Sequence, residues 1–366
     1  MTIAQVTDRF EIGGGLEHIF QIAKGMPEHS FVIFGKGGKQ TEKFTCLPNV
    51  SLSQNGYSPT AIESFPVEII HIHHTRPMLT LLSRRNSLPN IPIIVTAHGL
   101  HIRQYFFRHT PWSNMLYYLR LNLEKFLYNK ADVVIAVSRE DQQFIRNKYG
   151  RKDCLYIPNG ISATPSRLIS AQRDQLRREL GIPPDKFLCL TIARFDFPKG
   201  YDVLVDAIAL LKSQNALHNL HFLFVGDGKL KAPIYRKIQR LGLESVVCLP
   251  GRREDISNLL NLADLFILPS RWEGLPLTLL EAGAQKTPVL ASDTWGIREI
   301  VQHEETGLLF PVESSRGLAK VLSEILKNNY DLPTLSENLY ALVTQKYSYV
   351  NMIKRLKSVY SLRGNN

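Results

Sequence analysis

Several things are scarce or missing in this chain. Only four cysteines occur in 366 residues. Cys46, Cys154, Cys189 and Cys248 lie far apart, with neither metal-site spacing nor the density of a disulfide-stapled secreted scaffold. Reduced thiols in a cytoplasmic protein are the economical expectation. No stretch approaches the roughly 18 uncharged apolar residues that cross a bilayer, and Met1 to Val6 lacks the basic start and long apolar core of a signal peptide. Neither G-x-G-x-x-G nor G-x-x-x-x-G-K-[ST] occurs, which argues against dehydrogenase and NTPase readings. There is no low-complexity tract, no tandem repeat and no RNA-binding or helix-turn-helix signature. The formal net charge of +11 is spread along the chain, so it does not select nucleic acid as a partner.

What is present is a chain with 44% apolar residues, long enough for two domains with cores of their own. Short apolar runs alternate with helical segments from end to end, the rhythm of parallel sheets covered by helices. Strands are predicted near 2–7, 30–35, 67–72, 91–97, 132–137 and 153–157, then near 187–193, 219–225, 245–249, 264–268, 288–291 and 307–310. Between the two series, Pro158 to Pro165 is polar and rich in breakers. The expected division is 1–160, 161–345 and a terminal helix in 346–366, with the linker as a hinge.

The most informative stretch runs Ser270-Arg271-Trp272-Glu273-Gly274-Leu275-Pro276-Leu277-Thr278-Leu279-Leu280-Glu281-Ala282. Leu265 to Leu268, ended by Pro269, reads as a buried parallel strand. Gly274 and Pro276 make a turn, and straight-chain helix formers follow from Leu277. A helix start carries unpaired N–H groups and the positive end of its dipole, a seat for phosphate with the Thr278 hydroxyl as a further donor. Glu273 sits outside that seat and Glu281 is expected about two turns inside it. The spacing suits a ligand with phosphates at the helix start, a sugar at Glu273 and ribose hydroxyls at Glu281, each a charge-assisted contact. A glycosidase acid and nucleophile do not fit: eight helical residues span about 12 Å, against roughly 5 to 9.5 Å for such pairs.

Upstream, an apolar strand delivers Arg194 at its carboxyl end and Lys199 follows within one loop. Ligands of open α/β sheets bind outside those ends, where two cations suit a departing diphosphate.

Arg194, Lys199-Gly200, Gly226-Asp227-Gly228, Pro250-Gly251-Arg252 and the Glu273 to Glu281 block resemble the donor domain of family 4 glycosyltransferases. The likeness continues through Ala291-Ser292-Asp293, Gly296 to Val301 and Glu305 to Phe310. The first half matches more loosely, at Gly13 to His18, Thr96-Ala97-His98-Gly99, Val137 to Glu140 and Ile157 to Gly160. The resemblance implies an α/β chain of the GT-B fold: two Rossmann-like, doubly wound parallel-sheet domains facing across a cleft, the last helix crossing back onto the first domain.

It also implies a retaining transfer of a hexose or N-acetylhexosamine from a nucleotide-diphosphate sugar, by attack on the face the diphosphate leaves. Arg194, Lys199, Glu273 and His98 are the catalytic candidates. Gly14, Gly15, Gly226, Arg252, Gly274, Leu275, Leu277, Thr278 and Glu281 are the donor-binding ones. Pro276 removes one backbone donor from the phosphate loop, at a position where helices tolerate proline. No cofactor and no metal are expected: His71, His73 and His74 are close enough in sequence to suggest a metal site, but alternate histidines at a strand end are read as caps of backbone groups.

The acceptor expected from the resemblance is a hydroxyl of a glycan or of a lipid-linked acceptor, in bacterial surface polysaccharide or glycolipid synthesis. The segment 101–130 mixes Arg103, Arg108, Arg120 and Lys125 with Phe106, Phe107, Trp112, Tyr117 and Tyr118. Two readings stand: peripheral contact with an anionic membrane at its cytoplasmic face, or a helix burying its aromatics against the first sheet. Rival functions for the whole chain are a sugar-nucleotide epimerase or phosphorylase of the same fold and a non-catalytic partner subunit.

Overall fold

The computed structural model describes residues 1–366 except 12, 39, 89, 108, 109, 163, 164, 166, 167, 365 and 366. The chain forms two compact units, Met1–Gly160 with Tyr349–Asn366, and Ile161–Ser348.

The first unit is built on a seven-stranded parallel sheet: β1 (Thr2–Val6), β2 (Ser30–Phe34), β3 (Val50–Ser53), β4 (Ile69–Ile72), β5 (Ile93–Ala97), β6 (Val133–Ala136) and β7 (Leu155–Tyr156), in the order β3-β2-β1-β4-β5-β6-β7. Period two assigns alternate residues to opposite faces. Ala4, Val6, Ile70, Ile72, Val95 and Val134 enter one core. Ile3, Ile69, Ile94, Val133 and Ile135 enter the other, with Ile22 and Ala23 of the helix Gly14–Gly25 and Met352, Leu356 and Tyr360 of the helix Tyr349–Gly364. The register pairs Gln5 with His71, so two polar side chains share this otherwise apolar face near the carboxyl ends of β1 and β4.

The second unit carries six parallel strands: β8 (Phe187–Ile192), β9 (Leu220–Val225), β10 (Val247–Gly251), β11 (Leu265–Leu268), β12 (Val289–Asp293) and β13 (Leu308–Pro311), in the order β10-β9-β8-β11-β12-β13. In both sheets the strand order reverses once, between β1 and β4 and between β8 and β11. Such switch points leave a crevice outside the strand ends, where α/β proteins place ligands.

The strand β3 has no counterpart in the sequence reading. Val-Ser-Leu-Ser alternates and is only partly buried at a sheet edge, so it lacks the continuous apolar run that marks the central strands. The strand read at 245–249 lies later, over Val247–Gly251, with a register shift between Cys248 and Gly251.

The segment 101–130 also differs from expectation. Arg103 is buried, and its Nη2 lies 2.5 Å from Asp141 Oδ1, so it cannot meet a lipid headgroup. Arg120 pairs with Glu124 one turn along the helix Ser113–Asn129, and Arg108 lies outside the described residues. The exposed surface of this region is instead rich in apolar side chains, with Trp112, Met115, Leu116, Tyr118, Leu119, Leu123 and Phe126 all in solvent and Lys125 exposed among them.

Candidate active site

In the second unit the loops after β8 and β11 flank the switch point. Lys199 closes the first loop and Gly200 turns the chain into the helix Tyr201–Ser213. Gly200 sits at φ 63°, and a Cβ there would lie 2.0 Å from Pro269 O, so the two loops touch backbone to backbone. Arg271 ties them further. Its N–H donates to Pro198 O at 2.7 Å, and its guanidinium bonds Asp202 at 2.7 and 3.0 Å, Glu313 at 2.6 Å and Phe197 O at 2.7 Å. Burial works against both members of the Arg271–Asp202 pair, yet their hydrogen bonds outweigh it, holding Arg271 above its ordinary pKa and Asp202 below. Arg271 is thus a brace for the loop; its wealth of partners leaves it unlike a free phosphate ligand.

Glu273 is buried where the braced loops meet. Its Oε1 accepts from Lys199 Nζ at 2.6 Å and from Ser270 Oγ at 2.7 Å. The loop is fastened from behind: Ser292 Oγ donates to Ser270 O, Thr294 Oγ1 to Arg271 O at 2.7 Å, and the Glu273 N–H to Trp295 O at 3.3 Å. Gly296, at φ 76°, lets its backbone pass so close to Gly274 that a Cβ would meet Gly274 O at 2.0 Å. Lys199 and Glu273 are therefore brought together. Arg194 is not part of this contact: half-exposed, it pairs with Asp196 at 3.1 Å.

The helix Leu277–Ala284 begins at Pro276 with no side-chain cap. The N–H groups of Leu279 and Leu280 both bond Pro276 O, which leaves the earlier N–H groups of Leu277 and Thr278 without intrahelical partners, as at any helix start. Gly274, Leu275 and Leu277 are buried; Thr278 and Glu281 are half-buried, and their spacing of three puts them on one helix face. One expectation fails here. Residues 273–276 are not helical, so Glu281 lies about one turn, not two, into the helix, and the 12 Å span reckoned for a continuous helix does not apply. Gly226, at φ 140°, would place a Cβ 2.1 Å from Ala193 O, at the end of β8. Arg252 is exposed beyond β10, 3.6 Å from Glu254.

The first unit holds Gly14, Gly15 and His98. Gly14 opens the helix Gly14–Gly25, whose N-terminus also has no side-chain cap. Gly15 packs under His74, where a Cβ would stand 2.9 Å from the imidazole. His98 follows β5 and accompanies a cluster of histidines. His73 Nδ1 and His98 Nε2 are 3.0 Å apart, and His73 Nε2 reaches Gln5 Oε1 at 2.5 Å. His71 bonds Tyr360 Oη and Thr96 Oγ1, both at 2.7 Å, and His74 bonds Thr7 Oγ1 at 3.1 Å. The backbone-capping reading is overturned for His71 and His73, whose partners are side chains because Gln5, Thr96 and Tyr360 supply polar groups on the same buried face. Burial lowers the pKa of His71, His73 and His98 well below the ordinary value, and that of His18 to about 4. All four are neutral imidazoles at pH 7.

Sequence reasoning gave no role to Ser270, Arg271, Gln5, His18 or Tyr360. His18 stands in the glycine-led motif and so carried a signal. Tyr360 carried none, since only the fold returns residue 360 to β4.

The chain matches the family model "Glycosyl transferases group 1" over residues 172–341 and the model "Glycosyltransferase Family 4" over residues 12–164. It is 27% identical over 311 residues to the putative glycosyltransferase EpsD of Bacillus subtilis, covering 82% of this chain and 78% of that one. It is 25% identical over 298 residues to an Escherichia coli UDP-Gal:alpha-D-GlcNAc-diphosphoundecaprenol alpha-1,3-galactosyltransferase, covering 80% and 75%. Among solved structures, HepE of Anabaena in complex with UDP-glucose superposes with a TM-score of 0.84 at 21% identity, covering 99% of this chain and 100% of that one. With both of its halves matched and both parallel sheets in place, the chain belongs to glycosyltransferase family 4, as a glycosyltransferase of the GT-B fold.

Proposed function

We propose that the protein is a retaining hexosyl or N-acetylhexosaminyl transferase that uses a nucleotide-diphosphate sugar, a UDP-sugar before a GDP-sugar. One observation carries the reading: a part-buried lysine–glutamate pair bridges the two loops at the β8/β11 switch point, beside a helix start with no side-chain cap. Lys199, Arg194 and the N–H groups of Gly274, Leu275, Leu277 and Thr278 neutralise the departing diphosphate. Glu273 holds sugar hydroxyls and Glu281 the ribose, while Gly226 and the backbone at Arg252 meet the base. From the first unit, Gly14 and Gly15 supply amides to phosphate, and His98 a hydrogen bond to the transferred sugar. The acceptor hydroxyl attacks on the face the diphosphate vacates, its proton passing to a phosphate oxygen. No metal enters these steps.

The names of the Escherichia coli relative and of the HepE complex support uridine as base and a lipid-linked or glycan acceptor. A place in bacterial surface polysaccharide or glycolipid synthesis follows, at the cytoplasmic face of the membrane. Among the described residues no helix is long and apolar enough to cross a membrane, and the exposed apolar face from Trp112 to Phe126 is the surface that would touch one.

The test is a thermal-shift and calorimetric screen of UDP, GDP and ADP with their sugar conjugates, followed by anomeric analysis of the product. Tight UDP-sugar binding lost in Glu281→Ala, with retained configuration in the product, is the expected result. Turnover without any acceptor, or binding indifferent to Glu281→Ala, would overturn it.

A further inference from the structure

We propose that His18, His73 and His98 form a binding site for a borderline-soft divalent cation such as Zn²⁺, distinct from the donor-binding loops and not required for transfer. One nitrogen from each ring already lies within 4.8 Å of the others. The His73 Nδ1 to His98 Nε2 separation of 3.0 Å is close to the roughly 3.4 Å between ligand atoms of tetrahedral zinc with Zn–N bonds of about 2.0–2.1 Å. A cation there replaces the hydrogen bond from His98 Nε2–H to His73 Nδ1, and the His98 proton moves to its own Nδ1, so that the ring ligates in its neutral form. His18 is the third ligand: both its ring nitrogens are buried, Asn159 is the side chain that offers it a hydrogen bond, and its ring centroid is 4.8 Å from that of His98.

The surroundings fit a metal. His73 turns Nδ1 toward the site because its Nε2–H is donated to Gln5 Oε1, the outer hydrogen bond that orients ligating histidines and raises their basicity. Burial keeps all three rings neutral, the form that ligates, with Asn159 offsetting the desolvation of His18 only in part. The donor set is three imidazoles and no carboxylate, which suits Zn²⁺, Co²⁺, Ni²⁺ or Cu²⁺ and not Mg²⁺ or Ca²⁺. Three protein ligands leave the fourth position of a tetrahedral ion for water. A cation on His98 Nε2 also withdraws that ring from sugar. This consequence, unlike the binding itself, rests on the role proposed for His98.

The full chain, freed of metal with a chelator, is titrated with Co²⁺ and followed by its visible absorption. One equivalent producing the intense band of a four- or five-coordinate ion, displaced by Zn²⁺ and untouched by Mg²⁺, is the expected result. The band should weaken at least 10-fold in His18→Gln and in His73→Gln, and persist in the surface control His303→Gln. Circular dichroism checks that each variant is folded. Should one fail, a Zn²⁺-dependent rise in melting temperature of the unsubstituted chain, absent with Mg²⁺, reads the same binding. A weak six-coordinate spectrum, or a band lost equally in His303→Gln, would overturn the site. In a parallel transfer assay, activity should fall over the same Zn²⁺ range that fills the site. Binding without inhibition would overturn only the consequence drawn for His98.

Discussion

Lys199 Nζ stands 2.6 Å from Glu273 Oε1, although 74 positions separate them in the chain. Neither partner is fully solvated, since the side chains expose 24% and 10% of their surface. The pair is therefore screened far less than a surface ion pair. It fixes the distance between the loop after β8 and the loop after β11, and in the proposed function it holds two groups of opposite use: a cation for phosphate and a carboxylate for sugar hydroxyls.

Substituting either partner should cost much of the transfer rate. Lys199→Met and Glu273→Gln are each expected to lower kcat about 10²- to 10³-fold, the usual loss when one preorganised charged contact is removed. Because they share a hydrogen bond, their effects should not add. Steady-state kinetics of the single and double variants measures this. A Lys199→Met enzyme with unchanged kcat and a lowered melting temperature would reduce the lysine to a structural strut.

Gly296 offers a test on the backbone. At φ 76°, with a Cβ only 2.0 Å from Gly274 O, Gly296→Ala must push the Glu273–Pro276 loop away, at a cost of roughly 1–3 kcal/mol in strain. Donor affinity should fall with stability. Gly13→Ala is the matched control: its φ of 167° is ordinary extended backbone, and nothing lies within 4 Å of the added methyl. Thermal melts and UDP-sugar titration of both variants decide the matter. Equal losses in the two would refute the close-packing argument.

Most of the fold was legible because its central strands are continuous apolar runs: Leu265–Leu268 or Ile93–Ala97 cannot be read as exposed structure. β3 was not, since an edge strand is half-solvated and its Val-Ser-Leu-Ser pattern looks like a polar turn. The loop from Ser270 to Pro276 was legible for a related reason. Gly200, Gly226, Gly296, Glu273 and Lys199 are demanded by local geometry or charge, and such demands appear as residue types at fixed spacing. Arg103 misled because a guanidinium in an aromatic-rich segment looks the same in sequence whether it faces lipid or a buried Asp141. The histidine network was hidden for another reason: Gln5, His71, Thr96 and Tyr360 meet only through strand register and the return of the last helix.

The buried histidines set the acid side of the stability curve. His18 has its pKa lowered from 6.5 to about 4 by burial, so between those values the unfolded chain binds more protons than the folded one. Stability then rises with pH through that window and is fully present above about 6.5. A gap of that size corresponds to roughly 3 kcal/mol lost on going from pH 7 to below 4. His71, His73 and His98 are shifted in the same direction and steepen the slope. Melting temperatures in chelator-containing buffers from pH 7.5 to 4.5 should fall most steeply below pH 6.5, and less so in His18→Asn. A flat profile across that range would contradict the burial of neutral imidazoles.

The apolar face of the helix Ser113–Asn129 yields the last expectation. Trp112, Leu119 and Phe126 expose 65%, 60% and 53% of their surface, and with Leu116 and Leu123 they recur at the three- and four-residue spacing of one helix stripe. Moving a large apolar side chain fully out of water contributes about 1.5–3 kcal/mol, so Leu119→Ser with Phe126→Ser should weaken binding to anionic vesicles by at least about 10-fold. Melting temperature should hardly change, because neither residue belongs to a core. Arg103→Ala gives the opposite signature: stripping the partner from buried Asp141 costs about 3–5 kcal/mol of stability and leaves vesicle affinity of the folded fraction untouched. Co-sedimentation at low salt separates the two. If the unsubstituted chain stays in the supernatant, or the double-serine variant sediments as well as it does, the stripe is not a membrane-facing surface.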